Sequence, residues 1–309
     1  MRALAIDHSA PGGLAFAEVA DPVPAPNQAL VEVKAVSLNP GELLHLLPEG
    51  ADGEVYGWDA AGVVVRAADD GSGPAVGTPV VTLRWTGAWA RLRAVDTAWL
   101  GVAPDGADFG ALATIPVAAG TALRVLRKMG SILGRRVLVT GATGAVGRYA
   151  VQLAHRAGAH VIAATRNVAA NGPALKALGA DEVVVTPAEI AGPVDAVLDH
   201  VGGETLVEAF AAMTGGGLLV SIGNTSATGE HFPFGALFAD AATHDRRISS
   251  FIITGEGDLS ADLGWLAHEV AAGRLDPGVG HRADWSRAPA LVAAHAAGER
   301  LGKIVLDVS

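Results

Sequence analysis

The 309-residue chain contains no cysteine. That removes disulfides, thiolate metal sites and a cysteine nucleophile together. It also lacks any apolar run long enough to cross a bilayer. Charged residues are scarce, at 17% of the total, and carboxylates outnumber lysine and arginine 32 to 22. The net charge of −10 argues against nucleic acid or an anionic membrane as the main partner. No internal repeat or low-complexity linker is visible. The first residues read as a strand rather than a signal sequence, so a cytoplasmic protein is the expectation. What the chain has in quantity is apolar surface. Half its residues are hydrophobic, and its length suffices for two domains with real cores.

The texture changes along the chain. Residues 29–36, 61–66 and 79–83 are short β-branched runs punctuated by glycine and proline, as in a barrel-like domain. From Pro116 onward, Ala-rich helical segments alternate with apolar strands. Residues 137–139, 161–164, 182–185, 196–198, 218–222 and 249–253 would form six parallel strands. Residues 261–273 read as a late helix, and 302–308 return to strand. The expectation is an α/β chain: a doubly wound Rossmann sheet plus a β-rich barrel domain. The barrel would be discontinuous, 1–118 with 275–309, and the sheet domain would span 119–274.

The richest stretch is VLVTGATGAVG at 137–147, followed by RYAVQLA. A strand feeds a glycine turn, and the turn opens a helix. That is the form of a dinucleotide pyrophosphate site. Gly144 lets the backbone approach a phosphate, and Gly147 lets the helix sit close to the strand. Ala142 stands at the first glycine position of the usual pattern. The helix start, at Ala145 and Val146, offers free N–H groups and a positive dipole end.

The next strand selects the nucleotide. It ends in Thr165-Arg166-Asn167, where an NAD site would place a carboxylate for the ribose 2′-OH. A small polar threonine beside a guanidinium suits a 2′-phosphate instead. The cofactor expected is NADP(H). Gly223 and Asn224 follow another strand end, where ligands of open α/β sheets gather.

Taken in order, the motifs resemble the medium-chain dehydrogenase/reductase superfamily, in its zinc-independent quinone oxidoreductase and enoyl reductase-like branch. The resemblance runs through VKAVSLNP (33–40), GWDAAGVV (57–64), IPVAAGTA (115–122), the glycine motif, LGAD (178–181), VDAVLDHVGG (194–203), LLVSIG (218–223) and GKIVL (302–306). It implies a GroES-like fold for the barrel and a cleft with cofactor between the domains. Metal-dependent relatives carry Gly-His-Glu where this chain has Gly57-Trp58-Asp59. An indole cannot bind zinc, so hydride transfer to an already conjugated acceptor, a quinone or an α,β-unsaturated carbonyl, is the expected activity. A non-catalytic NADPH-binding sensor and a metal-free ketone reductase are the alternatives.

The resemblance also implies roles for single residues. Asn39 would face the nicotinamide side, although Asn-Pro is also a plain turn. Thr121 would lie by the nicotinamide ribose and phosphate. Lys303 would approach the cofactor phosphates or stand solvated. His200 and Val201 would meet the cofactor, with His200 as an acid or a structural residue. Phe251 and Ile253 would present backbone to the carboxamide. Glu42, Leu44 and His45 would border the substrate mouth. Some quinone reductases have a tyrosine near the position of Leu44, and its absence leaves no obvious acid. Trp85 and Trp89 would either wall the pocket or pack the barrel. The apolar run at 249–254, without proline or charge, reads as an edge strand that pairs with a second copy in a homodimer.

Overall fold

A computed structural model describes residues 1–238, 240–299 and 302–309. The chain divides into two compact units, Met1–Gly120 with Gly257–Ser309, and Thr121–Glu256. The boundary therefore differs from the expected one at residue 274. The helix Ser260–Ala271 belongs to the first unit, where it packs on a short strand. The reason is close approach: a Cβ at Gly101 would fall 2.4 Å from the Gly264 nitrogen. Two glycines let helix and strand touch through their backbones.

The first unit opens with strands β1 (Arg2–Ile6), β2 (Leu14–Glu18), β3 (Gln28–Leu38), β4 (Asp59–Arg66), β5 (Pro79–Leu83), β6 (Leu92–Asp96) and β7 (Leu100–Val102). The hub is β3, which pairs antiparallel with β4 and β6. Ala29, Val31, Val33 and Ala35 point inward on alternate positions, as period-two sterics demand. From there Val36, Ser37 and Leu38 are all buried, so this end of the strand is enclosed on both faces. Leu4, Leu14, Val36, Trp89 and Trp285 share one core.

The second unit holds β8 (Arg136–Val139), β9 (His160–Ala164), β10 (Glu182–Val184), β11 (Val194–Asp199), β12 (Met213–Ser221) and β13 (Arg247–Ser250). All pairs are parallel, in the order β10-β9-β8-β11-β12-β13. The order reverses between β8 and β11, which makes their carboxyl ends the ligand crevice of this architecture. The sixth strand sits earlier than expected. β12 ends at Ser221, so the ladder partner is exhausted at Ser250. Phe251 keeps one bond, its N–H to the Ser221 carbonyl at 3.0 Å. Ile252 is exposed, and Ile253 starts a 3₁₀ turn. The edge strand thus carries Arg247 rather than the apolar 251–253 run.

The chain then returns to the first unit as β14 (Val279–Asp284) and β15 (Lys303–Asp307). β15 pairs antiparallel with β3, matching Ile304 to Leu38 and Asp307 to Ala35. This register sets Lys303 beside the enclosed end of β3.

Candidate active site

At the switch point of the second unit, β8 runs into Thr140 and Gly141, and Gly144 heads the helix Ala145–Arg156. No side chain caps that helix. A Cβ on Gly147 would lie 2.4 Å from the Gly141 oxygen and 2.7 Å from the Ala142 Cα, so only glycine fits there. At Gly144 the same test gives 3.3 Å to the Gly141 oxygen, which is tight but open on its other sides. An uncapped helix start above a backbone-to-backbone glycine contact fits a dinucleotide pyrophosphate.

The turn is braced from β11. Thr140 Oγ1 donates to Asp199 Oδ1 at 2.6 Å and accepts the His200 N–H at 3.0 Å. Asp199 Oδ2 accepts the Gly202 N–H at 3.0 Å, and Val201 donates its N–H to Oδ1 at 3.4 Å. Burial holds the Asp199 carboxyl above its usual range. His200 is enclosed, and its Nε2 has no partner. Burial pulls its pKa down to about 4, which keeps the ring neutral at pH 7. The orphaned Nε2 is compatible with a bound polar ligand.

At the end of β9, Thr165 is buried and its Oγ1 accepts from Asn171 Nδ2 at 3.0 Å. Asn167 spends its side-chain oxygen on the Ala170 N–H at 3.0 Å, capping the next helix. Arg166 is exposed, with no hydrogen bond or ion pair among the described residues. Its guanidinium is available to an anion.

Asn224 is exposed and engaged within its own loop. Its Nδ2 donates to the Thr228 carbonyl at 2.7 Å and to Glu230 Oε1 at 3.0 Å. Its Oδ1 accepts from Ser226 Oγ at 2.7 Å. Glu230 also takes the Gly203 N–H at 3.0 Å, closing the loop 224–230 over that helix start. Gly223 is half-buried beside the His200 ring, and Ile253 and Thr121 are buried.

The first unit holds a buried polar network that sequence spacing did not suggest. Asp59 Oδ2 accepts from Ser37 Oγ at 2.9 Å, from Asn39 Nδ2 at 2.9 Å and from the Lys303 ammonium at 3.3 Å. Its Oδ1 accepts the Val117 N–H at 2.8 Å. Lys303 Nζ also donates to Asn39 Oδ1 at 2.7 Å. Glu42 Oε2 accepts the Asn39 N–H at 2.6 Å, and Oε1 accepts the Trp58 N–H at 2.5 Å. Burial and the neighbouring Asp59 push the Glu42 carboxyl up to about 8, against those N–H donors and Lys303.

Asn39 uses both ends of its amide inside the network. Two expectations are corrected. Lys303 is buried on Asp59 rather than solvated or extended toward phosphates. Glu42 is fully buried rather than at a substrate mouth. Leu44 and His45 are exposed. Trp89 packs the core, while Trp85 is half-exposed and meets Trp58 edge to face at 4.9 Å.

The donor set does not suit zinc. The carboxylate oxygens of Asp59 and Glu42 are engaged by N–H, O–H and ammonium donors, and Lys303 already supplies the cation. Among the described residues no cluster of three His, Cys, Asp or Glu could hold a metal.

Comparison with known proteins agrees with this architecture. The Alcohol dehydrogenase GroES-like domain family matches residues 25–124. The Zinc-binding dehydrogenase family matches residues 145–268. The chain belongs to the medium-chain dehydrogenase/reductase superfamily, in its quinone oxidoreductase and enoyl reductase-like branch. The chain is 32% identical over 96% of its length to Erythronolide synthase EryA2 of Saccharopolyspora erythraea, of which it spans only 8%. It is 37% identical over 58% of its length to a chloroplastic quinone-oxidoreductase homolog of Spinacia oleracea, covering 60% of that protein. The solved quinone oxidoreductase of Coxiella burnetii superposes with a TM-score of 0.81 at 25% identity, covering 100% of this chain and 99% of that one.

Proposed function

We propose that this medium-chain reductase is an NADPH-dependent, zinc-independent oxidoreductase acting on a quinone or an α,β-unsaturated carbonyl. The observation that carries the cofactor choice is the end of β9. Arg166 stands exposed and unpaired beside the small, buried Thr165, with no carboxylate to repel a 2′-phosphate. The start of the helix Ala145–Arg156 would take the pyrophosphate. NADPH, when bound, supplies the hydride. The lack of a zinc-competent donor set among the described residues favours an acceptor whose own conjugation spreads the incoming charge. Leu44, His45 and Trp85 give the first unit exposed apolar and aromatic surface against which a planar acceptor would lie. The names of the spinach and Coxiella relatives point to the same acceptor class.

Arg166→Ala tests the cofactor reading. Wild-type protein should bind NADPH more tightly than NADH, and the variant should narrow the gap by about 1.5–3 kcal/mol, the worth of a charge-assisted contact. Equal wild-type affinities in a fluorescence titration would remove the argument.

The second copy in a homodimer is a further part of this reading. β13 pairs only with β12 among the described residues, and Ile248 on it and Ile252 just after it are exposed. Ile248→Lys should shift the protein toward monomer in sedimentation, leaving NADPH affinity within a few-fold. A wild-type monomer at micromolar concentration is the contrary outcome.

A further inference from the structure

The second unit holds an apolar knob out toward solvent. Phe234 is 98% exposed, Leu237 67% and Phe238 73%. The turn that carries them is firmly built. Ala236 donates its N–H to the Pro233 carbonyl at 3.0 Å, and Phe238 donates to that of Gly235 at 2.9 Å. Phe232 packs edge to face on Phe210 at 5.5 Å, against the core of the unit. Arg246 donates to the Ala236 carbonyl at 3.2 Å and to the Phe210 carbonyl at 3.1 Å, with its guanidinium over the Phe210 ring. Phe234 and Phe238 themselves meet edge to face at 5.8 Å. Apolar surface fixed in this way is unfavourable in water until something receives it.

The same unit also has an uncovered apolar face. β13 pairs parallel with β12, and parallel strands are ordinarily covered on both faces. Ile252 keeps extended backbone, so Ile248, Ser250 and Ile252 share one face by alternation. All three are exposed. Knob and bare face stand on one chain, so a second copy carries the complement of each. Charge agrees with this. The chain carries −10 overall, but residues 231–253 balance Asp240 and Asp245 against Arg246 and Arg247. Two copies can meet here without the like-charge repulsion of the acidic remainder. Area agrees too. A stable dimer buries about 800 Å² per copy, which the four residues of β13 do not supply. Aromatic side chains bury about 150–250 Å² each, so Phe234 and Phe238 bring roughly half of it.

We propose that the Phe234–Leu237–Phe238 knob of one copy packs on the Ile248–Ile252 face of a second copy, and the reverse, about a two-fold axis. This rests on the homodimer reading above and names the surface that carries most of its binding energy.

Sedimentation of the full chain over a concentration series tests it. Wild-type protein should form a dimer and nothing larger. Phe234→Asp and Phe238→Asp change exposed side chains, so each should keep a cooperative melt. Each should raise the dimer Kd about tenfold or more. Leu237→Cys and Ile252→Cys give clean single-cysteine probes, because the chain has no cysteine. Under copper-phenanthroline oxidation, a mixture of the two should cross-link between copies more than either alone. That result, with the weakened aspartate variants, supports the proposal. A dimer weakened by Ile248→Lys but unchanged in both aspartate variants overturns it and leaves the edge-strand dimer standing. Equal cross-linking of the mixture and the single variants, or growth beyond the dimer, also overturns it. A wild-type monomer overturns both readings.

Discussion

Lys303→Met should cost the protein about 3–5 kcal/mol, because it leaves a buried carboxylate without its cation. Asp59 is fully buried, and the Lys303 ammonium lies within ion-pair distance of it, at 3.3 Å. Methionine keeps the stem of the side chain and removes the charge. The Asn39 oxygen would lose its donor at the same time. The pH dependence should change as well. Glu42 titrates near 8 in the folded state, above its ordinary value near 4.5. The folded protein therefore binds the extra proton between those values, and stability falls as pH rises through that window. Lys303 is one of the groups holding Glu42 down, so its removal should carry the fall to higher pH. Urea denaturation of both proteins at pH 5 and pH 8 reads both effects. A variant as stable as wild type at pH 8 would mean that the network is not charged as described.

Gly147→Ala should disable the nucleotide site. The new methyl would meet the backbone of Gly141 and Ala142 at 2.4 and 2.7 Å, where no side chain can rotate aside. The helix must move away from β8, carrying its N–H groups with it. Overpacking of this kind costs about 1–3 kcal/mol in stability. A displacement on the ångström scale should lower turnover about a hundredfold. Gly144→Ala makes the comparison, since its methyl meets only the Gly141 oxygen at 3.3 Å. That variant should melt close to wild type. If Gly147→Ala binds NADPH normally in a fluorescence titration, the helix start is not the pyrophosphate site.

The sequence made the second unit legible because its signals are local. VLVTG followed by ATGAVG joins strand, turn and helix within eleven residues, and the structure forms each where it was expected. The returning strand was legible for a similar reason: Ile304, Val305 and Leu306 are too apolar to stand outside a sheet. The sixth strand was misplaced because its limit is set by where β12 stops, which lies outside its own sequence. The polar network was not legible at all. Asp59 and Lys303 are 244 positions apart, and only the pairing of β15 with β3 and β3 with β4 brings them together. Asn39 had a local reading as a turn and a family reading as a ligand contact. Neither contains the two charges that take up its amide. Arg93 left no trace in periodicity either, since its carbonyl acceptors lie at 57–58 and 82–86, outside its own strand.

The central claim is that this fold turns over NADPH against conjugated acceptors. The direct measurement is oxidation of NADPH and of NADH by the purified chain with a panel of quinones, enones and simple ketones, with and without a chelator. The account predicts consumption of NADPH in preference to NADH with a quinone or an enone, unchanged by the chelator. Tight NADPH binding with no turnover on any conjugated acceptor, or turnover of simple ketones that the chelator abolishes, would contradict it.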